Sequence, residues 1–182
     1  MSAPYERIHV VINPASGRDE PVLNVLNSVF GEHGVDWSVS VTHKYGDATE
    51  HARQAALDGV DLVAGYGGDG TQHEIANGVI GTDVVMGVLP GGTGNGFLTE
   101  LGVPSDTKAA TQLLCAGGRE RTIDVGRCGE QVFIQRLHTG LRPDEETSRE
   151  MKDKYGIFAY ALDLPRKNKL IEDIDHHVTI DD

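Results

Sequence analysis

The stretch Asp61-Leu62-Val63-Ala64-Gly65-Tyr66-Gly67-Gly68-Asp69-Gly70-Thr71 decides the fold. Its first part, Asp61 to Ala64, predicts a buried strand, the glycines after it are turn chemistry, and Ile75 and Val79 at helical spacing carry the chain into a helix. The same order recurs on both sides. Downstream, Val84 to Leu89 reads as a strand that runs into Pro90-Gly91-Gly92-Thr93-Gly94-Asn95. Upstream, Ile8 to Ile12 breaks at Asn13-Pro14-Ala15-Ser16-Gly17, and Val22, Val25, Leu26, Val29 and Phe30 then follow helical spacing, with Pro21 suited to a first turn and Gly34 to a C-cap. Between these units, Trp37 to Thr42 alternates as a strand, and Asp47 with Glu50 predicts a capping box for a helix that reaches Leu57 and closes at Gly59. Strands alternating with helices through short connections predict an α/β fold, a doubly wound and mostly parallel sheet covered on both faces.

After Gly102 a further helix is expected from Thr107 to Leu114, ending at Gly117-Gly118. From there the pattern changes to successive strands, Glu120 to Arg127 and Gln131 to His138, which puts a domain boundary near residue 120. The rest of the chain offers an acidic helix start at Asp144-Glu145-Glu146, an apolar stretch from Ile157 to Leu164 and a strand from Val178 to Ile180, too little to bury a core alone.

Composition narrows the function. Among 182 residues, 16 are basic and 28 acidic, for a formal charge of −12, so broad nucleic-acid binding and polybasic adsorption to an anionic membrane are not expected. No apolar run approaches the about 20 residues that span a bilayer, and Met1 to Arg7 lacks the apolar core of a secretory signal. A cytoplasmic location is the expectation, with Cys115 and Cys128 as reduced, structural thiols.

The glycine-rich loops all fall at carboxyl ends of predicted strands, where open α/β sheets place ligands. Glycine lets backbone N–H groups approach phosphate oxygens, and a following helix N-terminus favours negative charge. No Gly-Lys-Ser/Thr follows, and the first strand-helix unit lacks GxGxxG with a later acid, so neither a Walker A loop nor the dinucleotide fingerprint is present. Asp69, between glycines, either orients the turn or, beside bound phosphates, handles magnesium or activates a hydroxyl nucleophile. Other chemistries lack support: His73-Glu74 does not continue to HExxH, since Asn77 stands at the second ligand position, and Ser16 has no GxSxG context. The adjacent His176 and His177 would point to opposite faces of a strand, and Arg166-Lys167-Asn168-Lys169 reads as a solvated face.

Taken together, Asn13-Pro14-Ala15-Ser16-Gly17, Gly67-Gly68-Asp69-Gly70-Thr71 with Glu74, and Pro90-Gly91-Gly92-Thr93-Gly94-Asn95 resemble the diacylglycerol kinase catalytic-domain family, which includes bacterial lipid kinases and, more distantly, sphingosine and ceramide kinases. The resemblance covers about residues 7 to 128 with the motifs in order. It implies ATP-dependent transfer of the γ-phosphoryl group to a lipid hydroxyl such as that of diacylglycerol, with ATP and Mg2+ as cofactors. It also implies an encounter with the lipid substrate at a membrane surface, without a transmembrane segment and without nucleic acid. Carried over by position, Asn13, Pro14, Ala15, Ser16 and Gly17 would form the first nucleotide loop and Thr42 would contact ATP. Gly67, Gly68, Asp69, Gly70, Thr71 and Glu74 would cradle the phosphates, and Gly92, Thr93 and Asn95 would complete the site. Asp69 and Asp124 would be the catalytic and metal-linked acids, with Arg18 and Lys44 as further candidates for phosphate contact.

The chain departs from the family at Gly96, where an aspartate is usual, and in Gln135 to Gly140, where the family strand is rich in asparagine and glycine. Family members are also longer, with a β-rich second domain that shapes the lipid cleft and supplies the general base. Residues 1–120 are therefore expected to be a nucleotide-binding α/β domain and 121–182 an incomplete lipid or substrate domain, whose exposed apolar surface would favour a homodimer. A kinase of the NAD kinase type, which shares Gly-Gly-Asp-Gly-Thr, and a non-catalytic nucleotide-binding fragment are the alternatives.

Overall fold

The computed structural model describes residues 4–16 and 19–136. Gly17, Arg18, His138, the acidic start at Asp144, the stretch from Ile157 to Leu164 and the strand from Val178 to Ile180 lie outside the described residues. Strands β1 (Arg7–Ile12), β2 (Asp36–Val41), β3 (Leu62–Gly67) and β4 (Val85–Pro90) form one sheet in the order β2-β1-β3-β4. All its pairings are parallel, with Val10 opposite Val39 on one side and Ala64 on the other. Helices α1 (Val22–His33) and α5 (Thr107–Cys115) cover one face, and α2 (Asp47–Leu57) and α3 (Asp69–Val79) cover the other. A short helix α4 (Gly96–Leu101) follows β4.

The two-residue repeat of a strand divides β1 between the faces. Ile8, Val10 and Ile12 pack with Leu26, Val29 and Phe30 of α1, while Val11 packs with Ala48, Ala52 and Ile75 of α2 and α3. Central β3 is buried along its whole length because helices lie on both sides of it, whereas edge strand β2 is largely exposed. Phe30, fully buried and 5.5 Å from the Trp37 ring, contributes about 2–3 kcal/mol by removal from water. Gly34 ends α1 in the left-handed conformation at φ 68°, and Asp106 caps α5 by accepting from the Ala109 N–H at 2.8 Å.

Three local expectations need correction. The Asp47/Glu50 capping box does not form, because Asp47 is already inside the helix: its carboxylate accepts from His43 and Lys44 N–H at 2.8 and 3.1 Å, and Glu50 faces Arg53 at 3.3 Å. The strand foreseen from Glu120 to Arg127 shrinks to β5 (Gly126–Cys128), since residues 120–125 are exposed and pair with no strand among the described residues; β5 forms an antiparallel hairpin with β6 (Gln131–Phe133). Of the two thiols, only Cys115 is a core residue, its pKa pushed up to about 11 by burial, while Cys128 is exposed on the hairpin.

Candidate functional site

In the order β2-β1-β3-β4 the chain turns one way from β1 to β2 and the other way to β3, so the crevice beyond the carboxyl ends of β1 and β3 is a topological switch point. The first loop is locked there by Asn13. Its N–H donates to the Tyr66 carbonyl at 2.9 Å, and its side-chain Nδ2 donates to Thr71 Oγ1 at 3.1 Å. Its Oδ1 accepts from the Ala15 N–H at 2.9 Å, and the Ser16 hydroxyl donates back to its carbonyl at 2.6 Å, closing the short turn Pro14–Ser16.

The loops after β3 and β4 cross main chain to main chain. Gly91 N–H donates to the Gly67 carbonyl at 3.3 Å, and a Cβ on Gly91 would stand 2.6 Å from the Gly67 nitrogen. A Cβ on Gly92 would fall onto Gly68 Cα. Only glycine permits this approach, because the atoms met are backbone and cannot swing aside. Asn95, left-handed at φ 47°, clamps the loop after β4 by accepting from Gly92 N–H at 3.0 Å and donating to the Gly92 carbonyl at 2.7 Å.

Helix α3 starts from this crossing. Its N-cap, Gly68, offers no side-chain acceptor, and the first helical bond runs from Gln72 N–H to the Gly68 carbonyl at 3.1 Å. The N–H groups of Asp69, Gly70 and Thr71 therefore have no intrahelical partner. Asp69 does not cap its own helix. Its Oδ2 accepts from Gly96 N–H at 3.1 Å and its Oδ1 from Phe97 N–H at 3.0 Å, so the carboxylate serves the start of α4. Glu74 serves α2 in the same manner: its Oε2 accepts from Gly46 N–H at 2.8 Å and Ala48 N–H at 3.2 Å, and its carbonyl accepts from the Thr49 hydroxyl at 2.9 Å.

The other expected site residues divide. Thr42 is buried where β2 ends, its N–H donating to the Ile12 carbonyl at 2.9 Å, and Thr93 is exposed on the loop after β4. Lys44 is exposed beside Asp47, whose carboxyl is held below its usual range by the His43 N–H first. Asp124 is exposed, no hydrogen bond joins it to Asp69, and no group of three or more acidic, histidine or cysteine side chains among the described residues is placed to hold a metal alone. Sequence reasoning passed over Gly91, Gly46 and the Gly96–Phe97 amides, whose parts depend on backbone geometry. The Gly91-Gly92 pair was the one readable signal.

A parallel, doubly wound α/β domain with glycine loops converging on a bare helix N-terminus is the class of protein that this fold defines. Residues 7–128 match the family described as Diacylglycerol kinase catalytic domain. The chain is 36% identical to the diacylglycerol kinase of Bacillus subtilis over 167 residues, covering 86% of this chain and 54% of that protein. It is 32% identical to the "Probable lipid kinase YegS-like" of Klebsiella pneumoniae over 158 residues, covering 84% and 53%. A crystal structure of a diacylglycerol kinase from Bacillus anthracis superposes with a TM-score of 0.65 at 29% identity, covering 72% of this chain and 51% of that one. The chain belongs to the diacylglycerol kinase catalytic-domain family. It spans about half the length of the curated relatives that it matches. Among the described residues, no helix is long and apolar enough to cross a membrane.

Proposed function

We propose that this chain is an ATP-dependent lipid kinase that phosphorylates a lipid hydroxyl such as that of diacylglycerol, its described residues providing the nucleotide-handling part. The observation that carries the reading is the Gly67-Gly68/Gly91-Gly92 crossing, which keeps side chains away from the uncapped first turn of α3. Backbone N–H groups and the helix dipole there suit phosphate oxygens, and a chain of net charge −12 needs such neutral donors in place of a basic surface. Asp69 would repel a phosphate if its carboxylate faced its own helix terminus. Its two bonds to α4 turn it aside, leaving the α3 amides available.

In this reading Asn13 to Gly17, Thr42, and Gly92 to Asn95 line the nucleotide, Gly67 to Thr71 hold its phosphates, and Glu74 positions the start of α2 beside them. Residues 1–120 form the nucleotide domain, and 121–182 begin the part that meets lipid at a membrane surface. Magnesium is usually held by one or two carboxylates together with substrate phosphates, and Asp69 fits as that carboxylate; the ion would supply neutralisation of the charge on the transferring group. Asp124, exposed ahead of β5, is the second acid in this reading. In the transfer, the bond from the γ-phosphorus to the ADP oxygen breaks, a bond to the lipid oxygen forms, and the hydroxyl proton passes to a carboxylate base or to water.

The test is to incubate the purified chain with Mg-ATP and either diacylglycerol micelles or NAD, following ATP binding and phosphorylated product together. Phosphatidic acid is the expected product. NADP would move the assignment to a small-molecule kinase, binding without turnover would make the chain a nucleotide-binding module, and absence of ATP binding would contradict the site.

A further inference from the structure

The β5–β6 hairpin is pinned to α3 by Asn77, whose carboxamide acts toward Val132 as a neighbouring strand would. Val132 N–H donates to Asn77 Oδ1 at 2.8 Å, and Asn77 Nδ2 donates to the Val132 carbonyl at 2.9 Å and to the His73 carbonyl at 2.9 Å. Val132 is fully buried beneath this pin. The pin directs the residues that follow: Ile134 packs against the Val88, Phe97 and Leu98 cluster, and Gln135 arrives at the first residue of α4. Because Gly96 has no side chain, two groups face the same point. The position of a Cβ on Gly96 lies 3.3 Å from Gln135 Nε2, 3.5 Å from Asp69 Oδ2 and 3.8 Å from Asp69 Oδ1.

We propose that Gln135 is a positioning residue for Asp69: an uncharged carboxamide, delivered by the Asn77 pin and admitted by the bare Gly96, that keeps a single fixed negative charge at this corner of the phosphate site. The proposal rests on the nucleotide reading above. A second carboxylate here would repel phosphate whenever no cation stands between them, and would make binding depend more steeply on that cation. Gln135 therefore sets how strongly the site needs its metal, while Asp69 remains the group that meets it.

Gln135→Glu in the full 182-residue chain tests this, with ATP titrated in EDTA and again in excess Mg2+. The ratio of the two dissociation constants is expected to rise about tenfold, through weaker metal-free binding. The same variant should melt at a lower temperature than the parent, and this loss should vanish in an Asp69→Asn background. An unchanged ratio in a chain that binds ATP overturns the proposal, as does a melting loss that persists without the Asp69 charge. If the parent binds no ATP in either condition, the nucleotide reading fails, and the Asp69-dependent melting loss alone decides the placement of Gln135.

Discussion

Two carboxylates leave helix α3 within a turn and a half of each other, and they end on different helices. Asp69 spreads its oxygens, one on each of two successive amides of α4, and is thereby held as a plane. Glu74 puts a single oxygen on two amides of α2, and its Oε1 has no hydrogen-bond partner among the described residues. Both act as N-caps supplied from another element, and each satisfies donors that its target helix cannot satisfy itself. Location separates them. Asp69 stands at the glycine crossing beside the bare amides of α3, while Glu74 lies a turn deeper and fixes where α2 begins. A carboxylate in a phosphate-site motif therefore need not point at the helix terminus beside it: Asp69 is held on the amides of α4 at the edge of the site, and Glu74 builds its wall.

The sharpest break in this comparison is Gly92→Ala, which removes the shared crossing without touching either carboxylate. A Cβ pressed onto backbone should cost about 1–3 kcal/mol in denaturant unfolding and abolish ATP binding in calorimetry, because Gly68 and the α3 amides must move together. Asp69→Asn comes next: phosphoryl transfer should disappear while the melting temperature falls only slightly, since the amide can still accept one of the two N–H bonds. Full activity in that variant would remove Asp69 from the chemistry. Glu74→Ala should show the opposite balance, its main effect being a loss of about 1 kcal/mol of stability from the uncapped α2. A stability loss smaller than that of Asp69→Asn would contradict this division of roles.

The smallest effect concerns the entrance to α2. Asp47 has its pKa lowered, chiefly by the His43 N–H, so its stabilising contribution is present above its unfolded value and is lost as pH falls through the lower folded one. Asp47→Asn should flatten the acid limb of a stability-versus-pH curve below about pH 4 and leave neutral pH nearly unchanged. An unaltered acid limb would separate this turn from the stability of α2.

The sheet and its glycine loops were legible in the sequence because burial imposes a simple pattern: β3 is apolar throughout, β1 alternates between two cores, and Asn13, Gly67 and Gly91 stand where β1, β3 and β4 end. Helix α4 was not legible, since six residues between Asn95 and Gly102 are too few to display a helical repeat. The capping box at Asp47 and Glu50 failed for a related reason: local spacing offered a cap, but Glu74 in another helix supplied it. For the site, the motif residues could be named from sequence, yet not the direction of their carboxylates. That direction depends on amides of α2 and α4, which carry no side-chain signature. The approach of Gln135 to Gly96, which Asp69 also faces, follows from the Asn77 pin, a long-range contact that spacing along the chain does not encode.

The central claim is that phosphate binds the uncapped α3 terminus at the glycine crossing, and amide NMR during an ATP titration tests it most directly. The account predicts the largest shifts at Asp69, Gly70 and Thr71, with smaller ones from Gly92 to Asn95, all absent in Gly92→Ala. Shifts centred on other elements, or none at saturating ATP and Mg2+, would contradict it.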